Sequence, residues 1–160
     1  MTRTLIGVDL VPLSRVRDLL GPVPGTDYGS GTEPDSGTGS GTEPGAAPLL
    51  RRFLSVEELA VSRTPDGAPD PSGIAGRLAA KEAVFKLLGS VGKPVPWQGI
   101  EVLRGPGGRP GVRLSGRAAE LARTAGVGPI DVSISHDAGF AIAVAATTTS
   151  VQDRPVPLDQ

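Results

Sequence analysis

The sequence predicts an α+β fold in which a small antiparallel sheet packs with a long central helix. Five short segments have the apolar alternation or β-branched content of strands, and four have apolar residues at helical spacing. Their order along the chain is strand, helices, strands, helix, strands. Because strands and helices do not alternate regularly, an antiparallel sheet is favoured over a doubly wound parallel one.

The first part of the chain contains one strand and two helices. Residues 4–8 form the predicted strand, which ends at Asp9. The apolar positions of the next helix are Leu13, Val16, Leu19 and Leu20. A second helix opens at residues 53–55, where Ser55 can act as N-cap and Glu58 can complete a capping box. A loop rich in Pro, Asp and Gly follows at residues 64–73.

The third helix has the most regular pattern. It is predicted over residues 75–88, with a face of small and aliphatic side chains, and Gly89 ends it. The remaining strands are predicted at residues 99–103, 112–114, 130–135 and 140–146. Between them, Ser115 is expected to cap a short helix that continues to Arg123 and stops at Gly126.

Glycine and proline are concentrated in one segment. The chain has 160 residues, of which 23 are Gly and 16 are Pro, and residues 21–48 contain a near-repeat of GSGTEP. Such a segment buries too little apolar surface to offset its ordering entropy, so a flexible insertion is predicted there. Residues 151–160 are expected to be a loose tail, which leaves a single domain within residues 1–150. Without the insertion and the tail, 15 basic and 11 acidic residues remain, a net charge of +4.

Composition excludes several classes of site. The absence of cysteine excludes disulfides, thiolate metal sites and cysteine nucleophiles, and one histidine excludes a multi-histidine zinc site. The overall charge of −1 disfavours a nucleic-acid binder. No run of 18 apolar residues occurs, so we expect no membrane span and a soluble, cytoplasmic protein.

Polar residues interrupt the apolar elements at three places. Asp9 follows the first strand, Glu82 and Lys86 are four residues apart on the third helix, and His136 and Asp137 follow the strand at 130–135. Each has a structural explanation: a turn-forming aspartate, an ordinary i,i+4 ion pair, and a turn histidine. No one of these signals defines a function by itself.

Taken together, these residues resemble a known pattern. The relevant blocks are Ile6-Gly7-Val8-Asp9-Leu10-Val11, Arg52-Phe53-Leu54-Ser55-Val56-Glu57-Glu58-Leu59, Arg77-Leu78-Ala79-Ala80-Lys81-Glu82-Ala83-Val84-Phe85-Lys86-Leu87-Leu88-Gly89, Gly108-Arg109-Pro110 and Val132-Ser133-Ile134-Ser135-His136-Asp137. In this order they resemble the holo-acyl-carrier-protein synthases, the small 4′-phosphopantetheinyl transferases. The resemblance implies the fold of that family.

The chain departs from the family pattern in two ways. Leu78 stands where the family usually has an aromatic residue, which implies an altered pocket wall. The spacing from Asp9 to Glu82 is longer than usual, and the insertion at 21–48 accounts for nearly all of the difference. Neither departure removes a charged motif residue, so we expect an active enzyme.

The resemblance implies transfer of phosphopantetheine from coenzyme A to a serine of an apo acyl carrier protein, with release of adenosine 3′,5′-bisphosphate. Asp9 and Glu82 resemble the ligands of Mg²⁺, for which Mn²⁺ could substitute. By the same resemblance Glu82 helps to deprotonate the serine, either directly or through a metal-bound water, Lys86 reaches the phosphates, and Asp137 assists proton transfer.

The same resemblance implies where coenzyme A and the carrier bind. The residues carried over to the coenzyme A site are Arg77, Lys86, Gly89, Arg109, Pro110 and His136. The family pocket lies between the subunits of a homotrimer. Arg15, Arg17, Arg51 and Arg52 are candidate docking charges for an acidic helical carrier, of fatty-acid, polyketide or other type. A non-catalytic coenzyme A or carrier-binding module and a metal-dependent phosphoester hydrolase remain alternatives.

Overall fold

The computed structural model describes residues 2–21, 49–89 and 94–150. The insertion expected at 21–48, apart from Gly21, and the tail expected at 151–160 lie outside the described residues. The elements in chain order are β1 (Thr2–Pro12), α1 (Leu13–Leu20), α2 (Leu50–Phe53), α3 (Val56–Ala60), α4 (Pro71–Leu87), β2 (Ile100–Arg104), β3 (Pro110–Leu114), α5 (Gly116–Thr124), β4 (Val127–Asp137) and β5 (Phe140–Ser150).

All five strands form one antiparallel sheet in the order β1-β5-β4-β3-β2. The predicted α+β class is therefore confirmed. The first strand of the chain pairs along its full length with the last, so that Asp9 lies opposite Ala143. Strand β4 pairs with β5 on its other side and places Ile134 opposite the same Ala143. These two pairings bring residues from both ends of the chain onto one part of the sheet.

Helix α4 packs across the sheet and forms the centre of the core. Eleven of its 17 residues are buried, and most of those are alanine or aliphatic residues. Small residues on β5, namely Ala141, Ala143 and Ala145, are also fully buried beneath it. The closest approach is at Gly7 on β1, where a Cβ would overlap the carbonyl oxygen of Ala83. A glycine is therefore required for β1 to lie this close to α4.

Three boundaries differ from the sequence predictions in ways that affect the site. Strand β1 continues to Pro12, so Asp9 lies inside the strand and does not follow it. Helix α4 begins at Pro71, four residues earlier than predicted, because the Asp70 side chain accepts a hydrogen bond from the Ser72 backbone N–H at 3.0 Å and proline occupies the first turn. His136 and Asp137, predicted to follow a strand, are the last residues of β4.

The helix caps were predicted with mixed success. The capping box of Ser55 and Glu58 is present at the start of α3. The short helix α2 that precedes it was not predicted. Ser115 occupies the N-cap position of α5, but its side chain makes no capping hydrogen bond, contrary to the expectation.

No helix among the described residues is long and apolar enough to cross a membrane.

Candidate functional site

Asp9, Glu82 and Lys86 meet where β1 crosses α4. Alternation along β1 directs Gly7, Asp9 and Val11 toward the helix. Glu82 and Lys86 lie one turn apart on α4, on the side that faces this strand. Lys86 donates from Nζ to Oδ1 of Asp9 at 3.0 Å and also to the backbone carbonyl of Val8. The structure therefore brings these three predicted residues together.

The two carboxyl groups interact directly. Burial raises the pKa of Glu82, and the neighbouring charge of Asp9 and a hydrogen bond between the two side chains raise it further. The charges of Arg15 and Lys86 act in the opposite direction. Asp9 and Glu82, with Lys86 beside them, are called the carboxylate corner below. Since two neighbouring carboxylates repel each other, this corner favours either a proton or a cation between them.

The donor set fits a hard divalent cation. Asp9 and Glu82 offer carboxylate oxygens, which Mg²⁺ and Mn²⁺ prefer. In the described part of the chain, no group of three or more Asp, Glu, His or Cys side chains is arranged to hold a metal ion, so protein ligands here number at most these two. Mg²⁺ usually keeps several waters and needs only one or two protein carboxylates. The side chain of Asp9 is 15% exposed and that of Lys86 is 51% exposed, so the corner opens to solvent on the lysine side.

A second feature lies further toward the N-terminus of α4. A cavity of about 270 Å³ separates the first turns of that helix from the β2–β3 hairpin and the end of β4. Three of the residues predicted to bind coenzyme A line it, namely Arg77, Pro110 and His136, and none of its lining residues is acidic. The cavity is therefore suited to an anionic ligand.

The walls of this cavity are fixed by hydrogen bonds to backbone carbonyls. Arg77 is buried and donates from Nε to Val102 at 3.2 Å and from Nη1 to Gly73 at 3.0 Å. Nε2 of His136 lies 2.9 Å from the carbonyl oxygen of Ser72. A carbonyl only accepts, so Nε2 carries the proton and Nδ1 is the nitrogen left for a ligand. Gly76 leaves room for this ring, because a Cβ there would lie 3.1 Å from Nε2.

Other predicted residues are not brought to these places. Asp137 is the last residue of β4, and alternation from Ile134 and His136 puts it on the face of the sheet away from α4. Within one chain it therefore does not face Glu82. Gly89 follows α4 with a φ of +62° and is exposed, and Arg109 is exposed on the β2–β3 hairpin outside the cavity lining.

The four candidate docking arginines are divided between different surfaces. Arg15 lines a narrow groove together with Glu82 and Leu78, and Arg52 lines an open groove with Trp97 and Arg117. Arg51 lines a separate cavity beside α3, and Arg17 is exposed elsewhere on α1.

Phe53 and Trp97 pack edge to face at 5.2 Å beside Leu78. Aromatic side chains from two other elements thus adjoin the place where the family aromatic residue is missing.

Sequence reasoning missed the buried pair of Glu58 and Lys81. Both side chains are fully buried and form an ion pair, although Lys81 immediately precedes Glu82. The only sequence signal was that Lys81 lies on the same helical stripe as the core residues Val84 and Leu88. Arg104, which lines the cavity at Arg77, was also missed because it lies outside every motif block.

Comparison with known proteins gives a consistent result. A sequence model described as the 4′-phosphopantetheinyl transferase superfamily matches residues 5–145. The holo-[acyl-carrier-protein] synthase of Moorella thermoacetica is 45% identical over 107 residues, which cover 66% of this chain and 80% of that protein. The enzyme of the same name from Desulforudis audaxviator is 35% identical over 140 residues and 88% of each chain.

Solved structures share the fold. The crystal structure of the Helicobacter pylori holo-[acyl-carrier-protein] synthase in complex with coenzyme A superposes with a TM-score of 0.63 and 28% identity, over 89% of this chain and 99% of that one. The sequence match extends from β1, with Asp9, through α4 and into β5, and so includes every element that forms the carboxylate corner and the cavity. The chain therefore belongs to the 4′-phosphopantetheinyl transferase superfamily.

Proposed function

We propose that this chain is a holo-[acyl-carrier-protein] synthase, which moves the 4′-phosphopantetheine group of coenzyme A to a serine hydroxyl of an apo acyl carrier protein. One observation carries the proposal: a single helix, α4, supplies both the wall of the anion-suited cavity at Arg77 and the carboxylate of Glu82 beside Asp9. Similarity to a synthase whose structure holds coenzyme A supports the choice of donor.

The reaction exchanges one phosphorus–oxygen bond for another. The serine oxygen forms a bond to the pantetheine-bearing phosphorus, and the bond from that phosphorus to adenosine 3′,5′-bisphosphate breaks. The serine loses one proton, for which Glu82 is the proposed acceptor, because its carboxylate lies beside Asp9 and Lys86 where the phosphates would react. Lys86 places its positive charge at the same corner, where it would neutralise charge on the phosphates.

Mg²⁺ is the proposed metal, and Mn²⁺ has the same ligand preference. Asp9 and Glu82 would hold it. When bound, the ion supplies Lewis-acid stabilisation of the phosphate oxygens. Without it, the two carboxylates face each other with only the partial compensation of Lys86 and Arg15.

Coenzyme A is proposed to lie along α4. His136 and Pro110 line the cavity, and Arg77 contributes positive charge to it. Lys86 would bind the phosphates at which the transfer takes place. Gly89 and Arg109 remain weaker candidates because both are exposed and lie outside the cavity.

A homotrimer is the proposed assembly. The outer face of β1 and β5 exposes large apolar side chains that lie next to one another in the sheet, with Val8 opposite Val144 and Leu10 opposite Ile142. A contiguous apolar face of this kind marks an interface. Asp137 lies on the same outer face of the sheet. It would therefore assist proton transfer in the active site of a neighbouring subunit.

The carrier protein is proposed to dock over the groove beside Glu82. Arg15 and Arg52 flank the aromatic pair of Phe53 and Trp97 there and would meet an acidic helix. Arg51 and Arg17 lie on other surfaces and would contribute only to long-range attraction.

Intact-mass spectrometry tests the proposal directly. Apo fatty-acid and polyketide carrier proteins are incubated with the enzyme, coenzyme A and Mg²⁺, with omission of the metal and Glu82→Gln as controls. We expect a mass gain of one phosphopantetheine group that is lost in both controls. Coenzyme A binding without any gain would favour a binding module, and breakdown of coenzyme A without carrier would favour a hydrolase.

A further inference from the structure

A cavity beside α3 has no part in the proposed function. It has a volume of about 220 Å³ and lies between α3, the turn at residues 63–69 and the start of α4. None of its described lining residues lines the cavity at Arg77 or the two grooves that Trp97 lines. We call it the α3 cavity. A ligand bound there would be separate from coenzyme A and from the carrier serine as placed above.

The floor of the α3 cavity is apolar, and part of it faces solvent. Its apolar lining residues are Val56, Leu59, Ala60, Pro69 and Ile74. Val56 is 80% exposed, the largest value of any large apolar side chain in the described ranges. The capping box between Ser55 and Glu58 fixes the start of α3 and so holds Val56 in this position. Exposed apolar surface in a concave site marks a place where an apolar group binds.

Arg51 and Arg63 bring positive charge to the same cavity, and none of its described lining residues is acidic. Among the residues that the structure describes, the Arg51 side chain has no hydrogen bond or ion pair. Arg63 donates from Nη1 to the carbonyl oxygen of Gly67 at 2.6 Å, and its other nitrogens have no partner in that part of the chain. Two guanidinium groups without a countercharge beside an apolar floor favour a ligand that combines an anionic head with an apolar body.

The volume of the α3 cavity limits the size of that ligand. A cavity of about 150 Å³ lined by aliphatic and aromatic side chains holds one benzene molecule, whereas pockets for drug-sized ligands measure about 300–1,000 Å³. The α3 cavity lies between these values. It would therefore accept one aromatic ring or a short alkyl chain, with the polar head of the ligand at the arginines, and it is too small for a nucleotide.

We propose that the α3 cavity binds a small amphiphilic carboxylate. Its ring or short alkyl chain packs on Val56, Leu59 and Ile74, and its carboxylate pairs with Arg51 and Arg63. Arginine suits this role because its planar fork donates two parallel hydrogen bonds to the two oxygens of a carboxylate. The proposal does not depend on the transferase reaction, so it is tested separately from the proposed function.

NMR titration of the full, isotope-labelled chain tests the proposal with two acids, phenylacetate and hexanoate. Their uncharged amides, phenylacetamide and hexanamide, are the matched ligands without the carboxylate. Binding is measured from the shifts of the backbone amide signals of α3 and of residues 63–69. We expect a Kd on the order of 1 mM for the acids, as befits ligands of this size. The amides should bind about tenfold more weakly or not at all, because they lack the charge that the arginines recognise.

Two pairs of variants locate the site. Val56→Glu puts a negative charge on the apolar floor at an exposed position, so the protein should stay folded and lose binding of both acids. Val61→Glu is the matched control, since Val61 is also exposed at the end of α3 but does not line the cavity. Arg51→Gln should weaken binding about tenfold. Arg123→Gln makes the same change in charge on α5 and should leave binding unchanged.

Failure of both acids to bind the wild type would overturn the proposal. Equal affinity for the acids and their amides would also overturn it, because the arginines would then recognise no carboxylate. Undiminished binding to Val56→Glu would place the acids outside the α3 cavity, and shifts centred on Gly76 and His136 would identify the cavity at Arg77 as their site instead. Phosphopantetheine transfer is measured on the same wild-type protein, so failure of the proposed function is distinguished from failure to bind the acids.

Discussion

Lys81 and Glu58 form an ion pair in which both side chains are fully buried, one residue away from Glu82. Glu58 also accepts hydrogen bonds from the backbone N–H groups of Ser55 and Val102, each at 2.9 Å. One carboxylate thus joins α3, α4 and β2. Burial lowers the pKa of Lys81, and the charge of Glu58 opposes that effect. The motif lysine beside Glu82 is therefore part of the core and does not reach a ligand.

Two lysines of α4 should accordingly respond differently to the same substitution. Lys81→Met leaves Glu58 buried without a countercharge and should lower the free energy of unfolding by about 3–5 kcal/mol. Lys86→Met removes a half-exposed partner of Asp9 and should cost less than about 1 kcal/mol. Urea unfolding followed by circular dichroism measures both. Loss of cooperative unfolding in Lys81→Met meets the same expectation, whereas equal losses in the two variants would contradict it.

Phosphopantetheine transfer should depend on Lys86 even though this residue contributes little to stability. Lys86→Met is expected to stay folded and lose phosphopantetheine transfer, because Lys86 is the cation at the carboxylate corner. A folded Lys86→Met enzyme with wild-type kcat would remove Lys86 from the proposed chemistry.

Glu82 should reduce the stability of the metal-free protein near neutral pH. Burial and Asp9 raise its pKa in the folded state above the ordinary value. A raised carboxyl pKa means that the folded state binds the proton more tightly than the unfolded state does. The stability cost of this group is therefore present at high pH and is relieved as the pH falls through the raised pKa.

Glu82→Gln should then raise the Tm of the metal-free protein at pH 8 by about 1–3 °C, with a smaller difference at pH 4. Mg²⁺ should raise the Tm of the wild type and not that of the variant, because binding to the folded state stabilises it. Differential scanning calorimetry at the two pH values measures both effects. A variant less stable than the wild type at pH 8 would show that the carboxyl pair is not repulsive.

Gly7 controls the distance between the two elements that carry the site. A Cβ at this position would overlap the carbonyl oxygen of Ala83, so Gly7→Ala must push β1 away from α4. We expect a loss of about 1–3 kcal/mol of stability and a larger loss of transfer activity, because Asp9 moves with the strand. Gly111→Ala is the matched control, since its Cβ would lie 4.0 Å from the nearest carbonyl oxygen. Equal behaviour of the two variants would contradict this account.

How far the sequence predicted these features depended on the range of the interactions involved. The capping box at Ser55 and the small-residue face of α4 are local patterns, and both are present in the structure. The pairing of β1 with β5 joins residues more than a hundred positions apart, and periodicity alone does not specify such a partner. The meeting of Asp9 with Glu82 followed from family resemblance, because no local signal links a strand to a distant helix.

Charged residues with structural roles were the hardest to identify. Lys81 and Lys86 are both lysines on the same helix, yet one is fully buried and the other is half exposed. Their difference depends on Glu58, 23 residues earlier in the chain, and sequence spacing did not reveal that contact. The same limitation applies to Asp137, whose side of the sheet is fixed by the register of β4 against β5.

The apolar outer face of β1 and β5 should be required for assembly. Ile142 is 38% exposed at the centre of this face, and Ile142→Glu should reduce the proposed trimer, of three 16.2 kDa chains, to monomers. Thr148→Glu adds the same charge on the same strand at an exposed polar position and should leave the assembly unchanged. Size-exclusion chromatography with light scattering measures the mass. A monomeric wild type would contradict the assembly itself.

Asp137 can act on a neighbouring subunit only if one site combines residues of two chains, and a mixture of two defective chains tests this. If Asp137→Asn slows transfer, it is co-expressed with Glu82→Gln so that mixed trimers form. An intact site then arises wherever a chain with native Glu82 meets the correct neighbour with native Asp137, which is about a quarter of the sites in a random equal mixture.

We therefore expect the mixture to recover about a quarter of wild-type activity, while each variant alone stays low. Mixing the purified homotrimers without exchange of subunits is the control and should recover nothing. If both residues serve the site of their own chain, every chain in the mixture carries one defect and no site is intact. Absence of recovery in mixed trimers would thus place Asp137 in the same site as its own Glu82, against the register of the sheet, and full activity of Asp137→Asn alone would remove it from proton transfer.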